Sequence, residues 1–75
     1  MNMAAIIVGS VCMKNRGRDS GRKCVVVGLV DANYVEILSA GRKKRRKVNI
    51  RHLEPLGERI ELKATDEETR KALEG

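Results

Sequence analysis

The sequence predicts an all-β fold: five short strands forming a small barrel, followed by one short C-terminal helix. Three observations predict it. Apolar residues alternate with polar ones through much of the stretch from Val8 to Leu62. Gly, Asn, Asp, Ser and Pro interrupt that pattern at short intervals, as turns between strands require. The pattern then changes at Thr65, where Thr-Asp-Glu-Glu has the form of a helix start. Neither an internal repeat nor a linker-like stretch divides the 75 residues, which read as one domain, 1–75. The core of so short a chain is small. Phe and Trp are absent and Tyr34 is the single aromatic residue, so Val, Ile, Leu, Met, Ala and Cys must build it.

The elements follow in order. Val8 to Lys14 fits a first strand, with Val11 and Met13 on one face. Residues 15–22 form a polar loop holding Gly17 and Gly21. Lys23 to Val30 is a continuous β-branched run, the mark of a strand buried on both faces. Asp31, Ala32 and Asn33 make a turn. Tyr34 to Leu38 is a third strand, with Val35 and Ile37 opposed to Tyr34 and Glu36. After a loop opening at Ser39-Ala40-Gly41, Val48 and Ile50 alternate with Lys47, Asn49 and Arg51 as a fourth strand. His52 to Pro55 reads as a turn, because Pro55 interrupts a hydrogen-bond ladder. Ile60 and Leu62 then mark a short closing strand. In the tail, Thr65 is the expected N-cap of a helix over 65–74. Asp66, Glu67 and Glu68 suit its first turn, and Arg70 and Lys71 lie further along. This acidic helix reads as a solvated one.

Charge narrows the function. The chain carries sixteen Lys and Arg against ten Asp and Glu, a net charge of +6. Residues 1–53 hold twelve basic and three acidic side chains, net +9, whereas residues 54–75 hold four and seven, net −3. Such a field captures polyanions. Membranes fit poorly: no apolar run approaches the ~20 residues of a spanning helix. The basic residues do not share one helical face, and the apolar start lacks the basic leader of a signal peptide. Cys12 and Cys24 read as small buried hydrophobes in a reducing cytosol, with a disulfide the lesser alternative.

The first hairpin resembles the KOW motif of ribosomal proteins and transcription-elongation factors. Gly9, Val11 and Met13 match its opening strand, Gly17 and Gly21 its loop glycines, and Val26 its returning strand. Cys24 stands where many members place a third glycine. A second stretch, Arg45-Arg46-Lys47-Val48-Asn49-Ile50-Arg51-His52-Leu53-Glu54-Pro55, resembles the large-subunit ribosomal protein family "fourteen-e" of archaea and eukaryotes, as does Gly21-Arg22-Lys23-Cys24-Val25-Val26. The similarity runs from about Val8 to Leu62. The tail is compatible with the short archaeal form, the eukaryotic form being similar but extended at its C-terminus, and the loop at 39–44 is short for the family. The resemblance implies an SH3-like barrel and a structural role on cytoplasmic ribosomes, in assembling or stabilising the large subunit without enzymatic activity.

Two basic groups are the candidate RNA-binding residues. Arg42, Lys43, Lys44, Arg45, Arg46 and Lys47 are consecutive, and phosphates would relieve their mutual repulsion while counter-ion release adds entropy. The plain reading of such a run is a solvated loop. Strand parity puts Lys47 and Asn49 on the exposed face and packs the stem of Arg46; Arg51 completes this group. Lys14, Arg16, Arg18, Arg22 and Lys23 flank the loop glycines, which let backbone N–H groups approach phosphate. Asp19 could hold that loop. The glycines also serve ordinary turn geometry. His52 reads as a structural residue of its turn, and Tyr34 as strand packing.

The expected partners are large-subunit ribosomal RNA and neighbouring ribosomal proteins, with a monomer when free and no cofactor. The competing reading is a KOW-type module of a transcription or translation factor. A peptide-binding module of SH3 or Tudor type needs more aromatic residues than Tyr34 supplies. Cys12, Cys24 and His52 lack the close-spaced pairing and the fourth ligand of a zinc site. No nucleophile–base pair or phosphate-binding Gly motif opening a helix suggests an enzyme.

Overall fold

A computed structural model describes residues 6–17, 20–39 and 44–74. β-branched and alternating segments form β1 (Ser10–Lys14), β2 (Lys23–Leu29), β3 (Tyr34–Ser39), β4 (Arg46–Asn49) and β5 (Leu53–Arg59). A 3-10 turn over Ile50–His52 joins β4 to β5, and the helix α1 spans Asp66–Glu74. The strands make one antiparallel sheet in the order β4-β3-β2-β1-β5. Both outer strands, β4 and β5, nonetheless contribute to one core cluster through Val48 and Leu53. The sheet therefore curls around that core. It does not close, because β4 and β5 are not paired with each other in the ladder. The expected barrel is thus an open, curled sheet. Pro55 on β5 has no N–H to donate, and prolines within sheets are confined to such edges.

Strand parity divides the interior into two clusters. Cys12, Cys24, Val26, Val35, Ile37, Val48 and Leu53 fill the concave side. Val11, Val25, Val27, Leu38 and Leu73 form the second, with Leu56, Ile60 and Leu62 packed against it. β2 thus buries both faces, as its unbroken apolar run predicts, and the buried side chains are aliphatic residues and cysteine. Cys12 and Cys24 are cross-strand partners, and both are buried, as the reading of small buried hydrophobes expects. Burial pushes the Cys12 thiol up from its ordinary pKa.

Several boundaries differ from expectation, each for a local reason. β1 begins at Ser10 because residues 7–10 form a turn: Ser10 N–H donates to Ile7 O at 2.9 Å, and Ile7 N–H to Ser10 Oγ at 3.0 Å. β4 ends at Asn49, whose Oδ1 accepts from Arg51 N–H at 2.9 Å and starts the 3-10 turn. The fifth strand is Leu53–Arg59, not Ile60 and Leu62. Pro55 and Gly57, which look like turn residues in sequence, lie within it. The register jumps from Cys12↔Pro55 to Val11↔Glu58, and Gly57 takes φ 76° in the irregular stretch between.

The tail is docked. Thr65 caps α1, accepting Glu68 N–H on its Oγ1 at 3.2 Å, as the Thr-x-x-Glu spacing predicts. Buried Thr69 donates its hydroxyl to Thr65 O at 3.0 Å and accepts Lys63 N–H at 2.9 Å. Leu73 is buried in the second cluster. The expectation of a solvated helix is corrected: an isolated nine-residue helix is marginal in water, and this one has the outer face of β2 and Leu38 to cover.

Gly9 carries a backbone constraint. It takes φ 95°, donates to Val26 O at 2.8 Å and accepts Ile60 N–H at 2.9 Å. A Cβ there would stand 2.9 Å from Ile60 O. Gly9→Ala is therefore expected to cost about 1–3 kcal/mol in urea unfolding, from left-handed strain and the close contact together. Leu73→Ala, which removes the helix's apolar anchor, is expected to cost about 2 kcal/mol. Far-UV circular dichroism should show the loss of helix ahead of the sheet.

Candidate nucleic-acid interface

The first loop is built by glycine geometry and by a lysine turned inward on it. Gly17 and Gly21 take φ 83° and 87°, conformations that side chains disfavour. Gly21 N–H donates to Lys14 O at 2.7 Å, and Lys14 N–H to Arg22 O at 3.1 Å. The Lys14 ammonium donates to Arg16 O at 3.0 Å, so this cation holds the loop. Asn15 N–H donates to His52 O at 2.9 Å, which ties the loop to the end of the 3-10 turn. His52 thus serves the fold through its carbonyl. Lys23 lies 3.8 Å from Glu58, an exposed pair of little energetic weight. Arg16 and Arg22 are exposed. Arg18 lies outside the described residues.

The sheet register brings the second basic group to the first. Cys24 pairs with Ser39, so the exit of the first loop lies beside the end of β3, where the second loop begins. Arg42 and Lys43 lie outside the described residues. Lys44, Arg45, Arg46 and Lys47 are exposed. The expected packing of the Arg46 stem is not found. Arg46 opens edge strand β4, two residues ahead of buried Val48, where the core no longer covers it. Asn49 is half-buried and its Oδ1 is used by Arg51 N–H, whereas the Arg51 side chain is exposed on the 3-10 turn.

Two arrangements were not visible in the sequence. Lys47 Nζ stands 5.0 Å from the centroid of the Tyr34 ring, a cation–π contact diagonal across β3 and β4. Tyr34 is 37% exposed, so it packs as a half-covered strand residue. Arg45, in the middle of the basic run, turns toward acids. Its Nε and Nη2 donate to the two carboxylate oxygens of Asp66, each at 3.0 Å, and its Nη1 lies 3.4 Å from Glu36 Oε1. The hydrogen bonds from Arg45 hold the Asp66 carboxyl below the usual carboxylate range, and in turn raise the guanidinium pKa. These partners are 21 and 9 residues away in sequence. Only spatial neighbourhood reveals them.

What remains is a set of exposed cations on three connected elements. Among the described residues, the side chains of Arg16, Lys44, Arg46 and Arg51 make no ion pair or side-chain hydrogen bond within the chain. Chemically, such a surface suits phosphate oxygens and offers one half-covered aromatic ring for stacking. Among the described residues, no group of His, Cys, Asp and Glu could hold a metal ion, and no helix is long and apolar enough to cross a membrane.

No protein-family model matches the chain. Individual relatives do. The chain is 51% identical over 79 aligned positions to large ribosomal subunit protein eL14 of Hyperthermus butylicus, covering 96% of this chain and 79% of the relative. It is 46% identical over 79 positions to the protein of that name from Sulfolobus acidocaldarius, covering 96% and 80%. It is 48% identical to the one from Saccharolobus islandicus, with the same coverage.

The Arg45–Asp66 contact makes a pH prediction. A carboxyl with its pKa lowered in the folded state adds stability above the ordinary carboxylate range and loses it as pH falls through the lowered value. A carbon-13 titration of Asp66 should show a midpoint below that of an ordinary aspartate. In Arg45→Ala the midpoint should return to the ordinary range.

Proposed function

The chain belongs to the family of large ribosomal subunit protein eL14, and from that premise we propose that it is a structural constituent of the large subunit, holding ribosomal RNA through its basic loops. The observation that carries this reading is the identity of roughly half the residues over 96% of the chain. The match takes in the β-sheet and the C-terminal helix alike. It does not favour the factor-module reading, although a KOW-type likeness of the first hairpin remains part of our proposal, supported by Gly17 and Gly21 at positive φ.

The binding residues proposed are Arg16, Arg22 and Lys23 on the first loop, and Lys44, Arg46, Lys47 and Arg51 on β4 and its flanks. Arg18, Arg42 and Lys43 belong to the same proposal on sequence grounds. Lys14 and Asn49 contribute mainly by holding the backbone, since Lys14 Nζ and Asn49 Oδ1 are engaged within the chain. Recognition rests on phosphate positions and RNA shape, because one half-covered ring cannot read a series of bases. Neighbouring ribosomal proteins complete the partners, the place of action is the cytoplasmic ribosome, and no catalytic step is involved. The 75 residues act as one domain.

Pelleting ribosomes through rising salt tests this. The chain should sediment with large subunits and dissociate only at high salt, because several phosphates are neutralised together. A Lys44→Ala/Arg46→Ala/Lys47→Ala variant should dissociate at lower salt, with the slope of log affinity against log salt reduced by up to about three. A wild-type chain that stays in the soluble fraction at low salt would overturn the ribosomal reading.

A further inference from the structure

Arg45 stands in the middle of a basic run, yet its guanidinium is taken up by carboxylates from two other elements. Asp66, the first residue of α1, accepts both parallel N–H bonds at 3.0 Å. Glu36, from the middle of β3, lies 3.4 Å from Nη1. Glu36 is itself placed by the sheet. It pairs with Gly28, and a Cβ on Gly28 would stand 3.2 Å from Glu36 Oε1, so the glycine leaves the carboxylate its room. Asp66 is placed by the docked helix, through Thr69 and Leu73. An aspartate in the first helical turn also suits the helix dipole.

Two negative charges beside one positive charge make Arg45 a poor ligand for a phosphate, although its side chain is exposed. Its neighbours Lys44 and Arg46 are exposed and, among the described residues, make no ion pair. We propose that Arg45, Asp66 and Glu36 are positioning residues: a clamp that fixes the backbone entering β4, so that Lys44, Arg46 and Lys47 meet RNA phosphates in one arrangement. The acidic C-terminal helix is then a working part of the RNA-binding surface, although it carries the wrong charge to touch RNA. A planar guanidinium is required, since a lysine cannot make the paired bonds to Asp66. The RNA arm of this inference rests on the ribosomal reading; the clamp itself does not.

The sign of one mutation separates the clamp from simple electrostatics. Asp66→Asn removes a negative charge next to a basic run, which by field alone strengthens RNA binding. The clamp predicts the reverse. Binding of full-length Asp66→Asn, Arg45→Lys and Arg45→Ala to large-subunit ribosomal RNA would be measured at several salt concentrations, with thermal unfolding of each. All three should bind about three- to fivefold more weakly, the effect of one well-formed exposed pair. The salt slope should match wild type, because no phosphate contact is lost. Asp66→Asn combined with Arg45→Ala should be no weaker than either alone. Amide heteronuclear NOE values of Lys44 to Lys47 should fall in Asp66→Asn and Arg45→Lys without RNA present.

Tighter binding by Asp66→Asn with a slope steeper by about one would overturn the clamp and make Arg45 a phosphate ligand masked by the helix. Wild-type affinity in Arg45→Lys, or unchanged NOE values, would overturn it as well. Failure of wild type to bind this RNA at low salt, with the NOE values falling as expected, would count against the ribosomal reading and leave the clamp standing.

Discussion

Strand β2 buries the side chains of four consecutive residues, Cys24 to Val27, and the rest of the molecule is arranged to cover both of its faces. Cys24 and Val26 point into the concave cluster, where both edge strands reach them by curling. Val25 and Val27 point the other way, and water would meet them if nothing else did. A 75-residue chain without Phe or Trp has little apolar area to spare, so a strand exposed on one side would leave too small a core. The covering of that second face by Leu62, Ile60 and Leu73 is therefore a condition of stability.

That condition is what brings the two oppositely charged parts of the chain together. Residues 54–75 are net negative and residues 1–53 net positive, and burial of Leu73 sets α1 against β2 and β3. Once the helix is there, its first residue lies within reach of Arg45, and the bidentate bond follows from geometry. An exposed ion pair adds little to stability by itself. Its consequence is directional: it selects one course for the chain as it enters β4. Packing thus comes first, and electrostatics refines what packing has placed.

The same economy shapes recognition. A protein with one aromatic ring cannot hold a row of splayed bases, and here that ring is partly covered by Lys47. Cations on loops and on a sheet edge can follow a folded RNA's phosphates without reading its sequence. The curled sheet supplies a rigid base for them. The β2–β3 register, with Cys24 opposite Ser39, sets the start of β2, where the first loop ends, beside the end of β3.

Much of this was legible in the residues alone. Period-two alternation marked β1, β3 and β4, the unbroken apolar run marked β2 as doubly buried, and Thr65 with Glu68 marked the helix start. These features depend on neighbours in sequence, so local pattern carries them. The family was legible too, from the stretch around Arg45 to Pro55. The fifth strand was not, because Pro55 and Gly57 signal a turn in any short window. Only the pairing of β5 with β1 shows that an edge position and an irregular register absorb both. Nor could the run from Arg42 to Lys47 reveal that one of its members, Arg45, is paired at the surface with acids from other elements. Composition determined that the chain is basic, with a charge suited to polyanions. Which cations remain available was decided by the tertiary structure, because a charge is neutralised by whatever lies within a few ångströms, and for Arg45 that neighbour is 21 residues away.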